Sequence, residues 1–172
     1  AIGRSFEEAV LKAIASLEQG PGHPRPLMEA DAVLGDVSDA QRSSSISDAT
    51  LIDWMTEVTD RRLFGLFEAF RRGWSVDRVR ELTAIVPWFL HGLEHIAQME
   101  CHLVKAGAQE GGIDDEQLLV AKRLGFTDRA IADALLGHPT DSGYREAVGA
   151  HERLIRARRW QAGLHPSFRM VD

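Results

Sequence analysis

Apolar side chains recur at helical spacing along nearly the whole chain, and capping residues and glycines punctuate them. Phe6, Ala9, Val10, Ala13, Ile14 and Leu17 fall on one stripe behind the capping-box spacing Ser5-x-x-Glu8, which predicts a helix from Phe6 to Glu18 closed by Gly20. Pro21-Gly-His-Pro-Arg-Pro26 breaks that pattern, and 21–49 reads as one long irregular, mobile excursion. From Asp48 a short helix carries Leu51, Met55 and Val58. Thr59-Asp60 then caps a helix from Arg61 to Arg72 with a dense apolar face of Leu63, Phe64, Phe67 and Phe70. Ser75 caps Val76 to Leu82, and Pro87 opens a long helix to Ala106. Asp114-Asp115 form an acidic cap. Helices over Glu116 to Leu124, Asp128 to Leu136 and Ser142 to Trp160 follow, the last weakened by Gly149. No stretch alternates at period two for long enough to make a strand. The expectation is an all-α single domain, 1–172, of about seven helices, with an extended tail over 164–172.

One chemical motif lies in Val86-Pro-Trp-Phe-Leu-His-Gly-Leu-Glu-His95, where His91-x-x-Glu94-His95 matches the inverted zinc-protease signature, a five-residue pattern with three fixed positions that chance often produces. Two histidines one helical turn apart can share a cation, and His102 lies near the same line. At 100° per residue, however, Phe89, Leu90, Leu93, Ile96, Ala97, Leu103 and Val104 take one side and the histidines the other, in water. A catalytic zinc needs a dry cavity and a third protein ligand, so the spacing favours a solvated polar face. Gly92 inside the motif weakens the helix by roughly 1 kcal/mol and signals no particular chemistry.

Composition narrows the remaining classes. A net charge of −6 disfavours a general binder of nucleic acid or anionic membrane, and no apolar run reaches the length of a bilayer span. A single cysteine, Cys101, removes intrachain disulfides and multi-cysteine zinc sites, and fits a reducing cytoplasm. Cys101 sits at the border of its stripe and is expected to be a buried, inert thiol. The start at Ala1 carries no signal-peptide pattern and no Met, and the chain stops abruptly at Met170-Val-Asp172, which predicts a piece of a longer polypeptide. The strongest rival reading is a helix-turn-helix DNA-binding protein. Ala121 to Gly137 precedes a helix ending Arg153-Leu-Ile-Arg-Ala-Arg-Arg159. Between Lys122 and Arg159 eight basic residues stand against five acidic ones, and Ser142-Gly-Tyr-Arg-Glu-Ala147 offers few donors to a base edge. Glu7-Glu8 and Asp114-Asp115 sit at helix starts, where capping explains them better than acid–base chemistry. No phosphate loop, dinucleotide fingerprint or nucleophile elbow is present.

Several phrases, in their order, resemble one family. These are Ala1-Ile-Gly-Arg-Ser-Phe6 and the helix after it, Arg62-Leu63-Phe64, Phe70-Arg-Arg-Gly-Trp-Ser-Val76, and Glu81-Leu-Thr-x-Ile-x-x-Trp88-Phe89-Leu90. Ala121-Lys122-Arg123-Leu124-Gly125-Phe126-Thr-Asp128 follows, then Ile131-Ala132, Leu136-Gly137 and Pro166-x-Phe-Arg-x-Val-Asp172. The chain resembles the central helical oligomerisation domain of the carbamoyl phosphate synthetase large subunit over nearly its whole length, apart from Pro21 to Ala49. The family has an acidic cap ahead of the Trp88-Phe89-Leu90 phrase; Val86 cannot supply it, which predicts a less well-capped helix start. His138 to Arg159 is only loosely similar.

The resemblance implies a parent enzyme that makes carbamoyl phosphate from bicarbonate, glutamine-derived ammonia and two ATP, for arginine and pyrimidine biosynthesis in the cytoplasm. ATP and a divalent metal would bind the parent's ATP-grasp halves, and a glutaminase small subunit would supply the ammonia. The domain itself is expected to hold no catalytic, metal or cofactor site. Its expected partners are a second copy of itself and the flanking ATP-grasp domains, with no nucleic acid or membrane. The signature residues Arg62, Leu63, Phe64, Trp88, Phe89, Leu90, Lys122, Arg123, Leu124, Gly125, Phe126 and Pro166 are expected to serve packing.

Overall fold

The computed structural model describes residues 1–17, 46–138 and 143–165. Among these residues there are eight helices and no strand: α1 Phe6–Ala15, α2 Asp48–Thr56, α3 Arg62–Arg71, α4 Val76–Thr83, α5 Pro87–Gly107, α6 Asp115–Leu124, α7 Asp128–Leu135 and α8 Tyr144–Gln161. The all-α class is as expected. The predicted excursion lies outside the described residues up to 45, and Pro166 with the rest of the tail also lies outside them.

Local capping sets most helix starts. Ser47, Ser75 and Thr127 each accept the N–H three residues ahead, and Asp114 with Gln117 closes a full capping box on α6. Two starts differ from expectation. Ser5 accepts the Glu8 N–H at 3.2 Å, but the Glu8 carboxylate turns to the Arg4 N–H at 2.7 Å, so only half of that box forms. Thr59 and Asp60 do not cap α3. Arg61 occupies the cap position already in helical geometry and makes no side-chain cap hydrogen bond.

The chain divides into two compact units, Ala1–His102 and Leu103–Asp172, with the boundary inside α5. In the first unit α2 packs on α3 and α4. Leu51, Met55, Phe67, Val79, Leu90 and Ile96 are fully buried there. The signature residue Arg62 ties these helices together, its guanidinium donating to the Met55 carbonyl at 2.9 Å and the Thr83 carbonyl at 3.1 Å. That satisfies carbonyls at the ends of α2 and α4 which no helical N–H can reach.

In the second unit α7 packs on α8, around Leu103, Ile113, Leu118, Ile131 and Val148. The phrase Lys122 to Asp128 is the α6–α7 turn. Gly125 takes φ 104°, which a residue without a Cβ adopts freely, and Phe126 is buried behind it. Lys122 Nζ bridges the turn, donating to the Phe126 carbonyl at 2.7 Å and to Asp128 at 2.9 Å. Leu124 is half-buried, and Arg123 is exposed rather than packed.

Candidate functional site

The first turn of α5 is where the apolar pattern and the core part company. Leu90 is fully buried, yet Trp88 is 63% exposed and Phe89 44%, beside an exposed Val86. Periodicity puts Phe89 with the buried stripe, but of the three signature residues only Leu90 is buried. The reason is the face each takes in the same first turn: Leu90 is on the buried side, while Trp88 and Phe89 are on sides where their ring partner is Phe6 at the start of α1.

The three rings form one cluster: Phe6 lies 5.3 Å from Trp88 and 5.5 Å from Phe89, and Trp88 meets Phe89 edge-on at 4.9 Å. Gly92 makes this possible. A Cβ there would stand 2.7 Å from Phe6 Cε1 and nearer still to Cδ1, so the residue that signalled no chemistry is the gap into which Phe6 fits. Periodicity puts Phe6 on a core stripe, and its partnership with Trp88 is invisible to any local pattern.

The histidines lie beside this cluster. His91 and His95 are exposed, as the helical wheel predicts, and each meets a carboxylate: His91 Nδ1 is 3.3 Å from Glu94, and His95 Nδ1 is 3.2 Å from Glu7 on α1. The second pair fastens α1 to α5 next to Phe6. Burial works to raise the pKa of Glu7, but its own backbone N–H, the His95 ring and the Ser5 hydroxyl outweigh that and lower it. Glu8 is held down mainly by the Lys12 ammonium and by the Arg4 N–H. Among the described residues no cluster of three His, Cys, Asp or Glu side chains is arranged to hold a metal ion. Cys101 is partly exposed rather than buried, because it sits at the edge of the stripe whose centre is Ala97 and Leu103.

The basic end of α8 is turned to internal use. Arg159 is buried and holds Asp128 at 3.2 Å, Arg158 reaches Asp115 at 2.7 Å and the Ile113 carbonyl, and Arg156 pairs with Glu152 at 2.6 Å. Burial alone would raise the pKa of Asp128. The hydrogen bond and charge of Lys122, followed by those of Arg159, overcome this and lower it. A depressed carboxylate contributes stability that is complete above its unfolded value, near 3.9, and is lost as pH falls through the folded one. Asp128→Asn is therefore expected to flatten the fall in stability below about pH 4 in acid titrations followed by circular dichroism; an unchanged slope would remove Asp128 from that role.

Sequence reasoning missed two buried pairs. Glu100 accepts from Arg71 Nε at 2.8 Å, and Asp133, fully buried in α7, meets His138 Nδ1 at 2.7 Å. The signal was present: Glu100 interrupts the stripe Ile96, Ala97, Leu103, and Asp133 stands among Ala130, Ile131, Ala132 and Ala134. A carboxylate on an apolar face needs a partner.

The described residues thus show a surface aromatic cluster stiffened from below, and ion pairs that serve the fold. A family model described as carbamoyl-phosphate synthetase large chain, oligomerisation domain, matches residues 1–161. That span includes the aromatic cluster, the Arg62 tie and the Lys122 turn alike, and on it the chain belongs to the family of the carbamoyl-phosphate synthetase large chain oligomerisation domain.

Proposed function

We propose that this chain joins large chains to one another and spaces the ATP-grasp halves on either side of it, with no catalytic, metal or nucleotide site of its own. The observation that carries this reading is the family match over residues 1–161. The parent would be an ATP-dependent ligase, making carbamoyl phosphate from bicarbonate, ammonia released from glutamine by a small subunit, and two ATP. Its place would be the cytoplasm; no helix among the described residues is long and apolar enough to cross a membrane. The aromatic cluster and the internal ion pairs suit a domain whose work is contact rather than chemistry.

Sedimentation of the 172-residue chain over a range of concentrations tests the reading. Self-association is expected, with a dissociation constant below about 1 mM, equivalent to about 4 kcal/mol. A monomer at every concentration up to that level would count against it.

A further inference from the structure

We propose that the exposed face at the start of α5, Trp88 and Phe89 seated on Phe6, is the surface covered by a second copy of this chain; the inference rests on the self-association reading above. Three observations carry it. Trp88 and Phe89 are large apolar side chains left 63% and 44% exposed side by side, and aromatic anchors are the side chains that dominate protein interfaces.

The cluster is also held in place before any partner arrives. Leu90 and Leu93 fix α5 in the core, the Phe6 ring fills the space above Gly92, and the His95–Glu7 pair ties the two helix starts together. Little side-chain freedom is then left to lose on binding.

The same two helix starts carry charges of both signs. Arg4 and Lys12 flank Glu8 on α1, and Glu7 and Glu94 stand beside His95 and His91. A copy related by a two-fold axis presents the same set in reverse order, so a mixed rim can pair with itself where a rim of one sign would repel. A stable pair needs about 800 Å² from each partner. Trp88, Phe89 and Val86 would form its centre and these polar side chains its rim.

The test compares dissociation constants from sedimentation equilibrium for the unchanged chain, Trp88→Arg and Trp160→Arg. Trp160 is also exposed, at 54%, but lies on α8 in the other unit. Trp88→Arg is expected to weaken association at least about 30-fold, the factor corresponding to a 2 kcal/mol hot spot, while Trp160→Arg leaves it unchanged. Retained helicity by circular dichroism is expected for both. Should Trp88→Arg lose helicity, Trp88→Ser is read in its place, with a loss of at least about tenfold. An unchanged chain that associates together with a Trp88 variant that associates equally well overturns this surface and leaves the self-association reading standing. A chain that stays monomeric throughout overturns both.

Discussion

Gly107→Ala is expected to destabilise the chain by about 3 kcal/mol, the upper part of the range for overpacking against a rigid neighbour. The last residue of α5 lies so close to the last turn of α7 that an added Cβ would stand 2.6 Å from the Leu135 carbonyl carbon and nearer to its oxygen. Backbone cannot swing aside as a flexible side chain can, and the helix-propensity gain of roughly 1 kcal/mol that alanine offers is too small to offset the clash. Gly149→Ala in α8 is the control. Its Cβ would meet only Arg153 Nη1, at 3.9 Å, so the same chemical change should there stabilise by up to about 1 kcal/mol. Urea denaturation of the two variants gives opposite signs if the close approach decides the outcome; two changes of the same sign would show that it does not.

Arg71→Met is expected to be at least as damaging, at about 3 to 5 kcal/mol. Glu100 is only 2% exposed and takes two contacts from the Arg71 guanidinium, Nε at 2.8 Å and Nη2 at 2.7 Å. Removing the arginine leaves a carboxylate in the interior without its cation. The double variant Arg71→Met, Glu100→Leu removes both charges and should recover most of the loss, because a buried ion pair and an apolar pair of similar volume differ little in net stability. A double variant no more stable than Arg71→Met would mean that the pair stabilises the fold through something other than mutual neutralisation.

The helices themselves are legible in the sequence because their signals are local. Ser75 and Asp114 announce α4 and α6 by accepting an N–H three residues on, and the stripe of Leu90, Leu93, Ile96, Ala97 and Leu103 gives both the extent and the inner face of α5. The family phrases are legible as phrases in order, but the contacts of Arg62 and Lys122 with the Met55, Thr83 and Phe126 carbonyls are not. What periodicity does not carry is the presence or absence of a neighbour. Trp88 and Phe89 have the same apolar character as Leu90, and only the placement of α1 shows that they stop at one ring, Phe6, and then meet solvent. Gly92 illustrates the same limit. Its cost to the helix is visible in the sequence, but its use depends on a residue 86 positions earlier. For Glu100 and Asp133 the carboxylate on an apolar face is visible, while the identity of the partner is fixed by packing alone.

The charges around Glu100 also form a continuous path. Asp48 pairs with Arg72 at 2.9 Å, Arg72 with Glu68 at 3.0 Å, Glu68 with Arg71 at 3.4 Å, and Arg71 with Glu100 at 2.7 Å. The carboxylates along it go from 60% side-chain exposure at Asp48 through 14% at Glu68 to 3% at Glu100. In terms of sequence change, the path is a gradient of constraint. At its outer end Asp48 can be exchanged alone, because water replaces whatever Arg72 loses. Toward its inner end water has little access, and a change at Arg71 is expected to cost least when made together with one at Glu100. The buried end of the path is therefore expected to change as a pair, Arg71 with Glu100, while its exposed end at Asp48 can change alone.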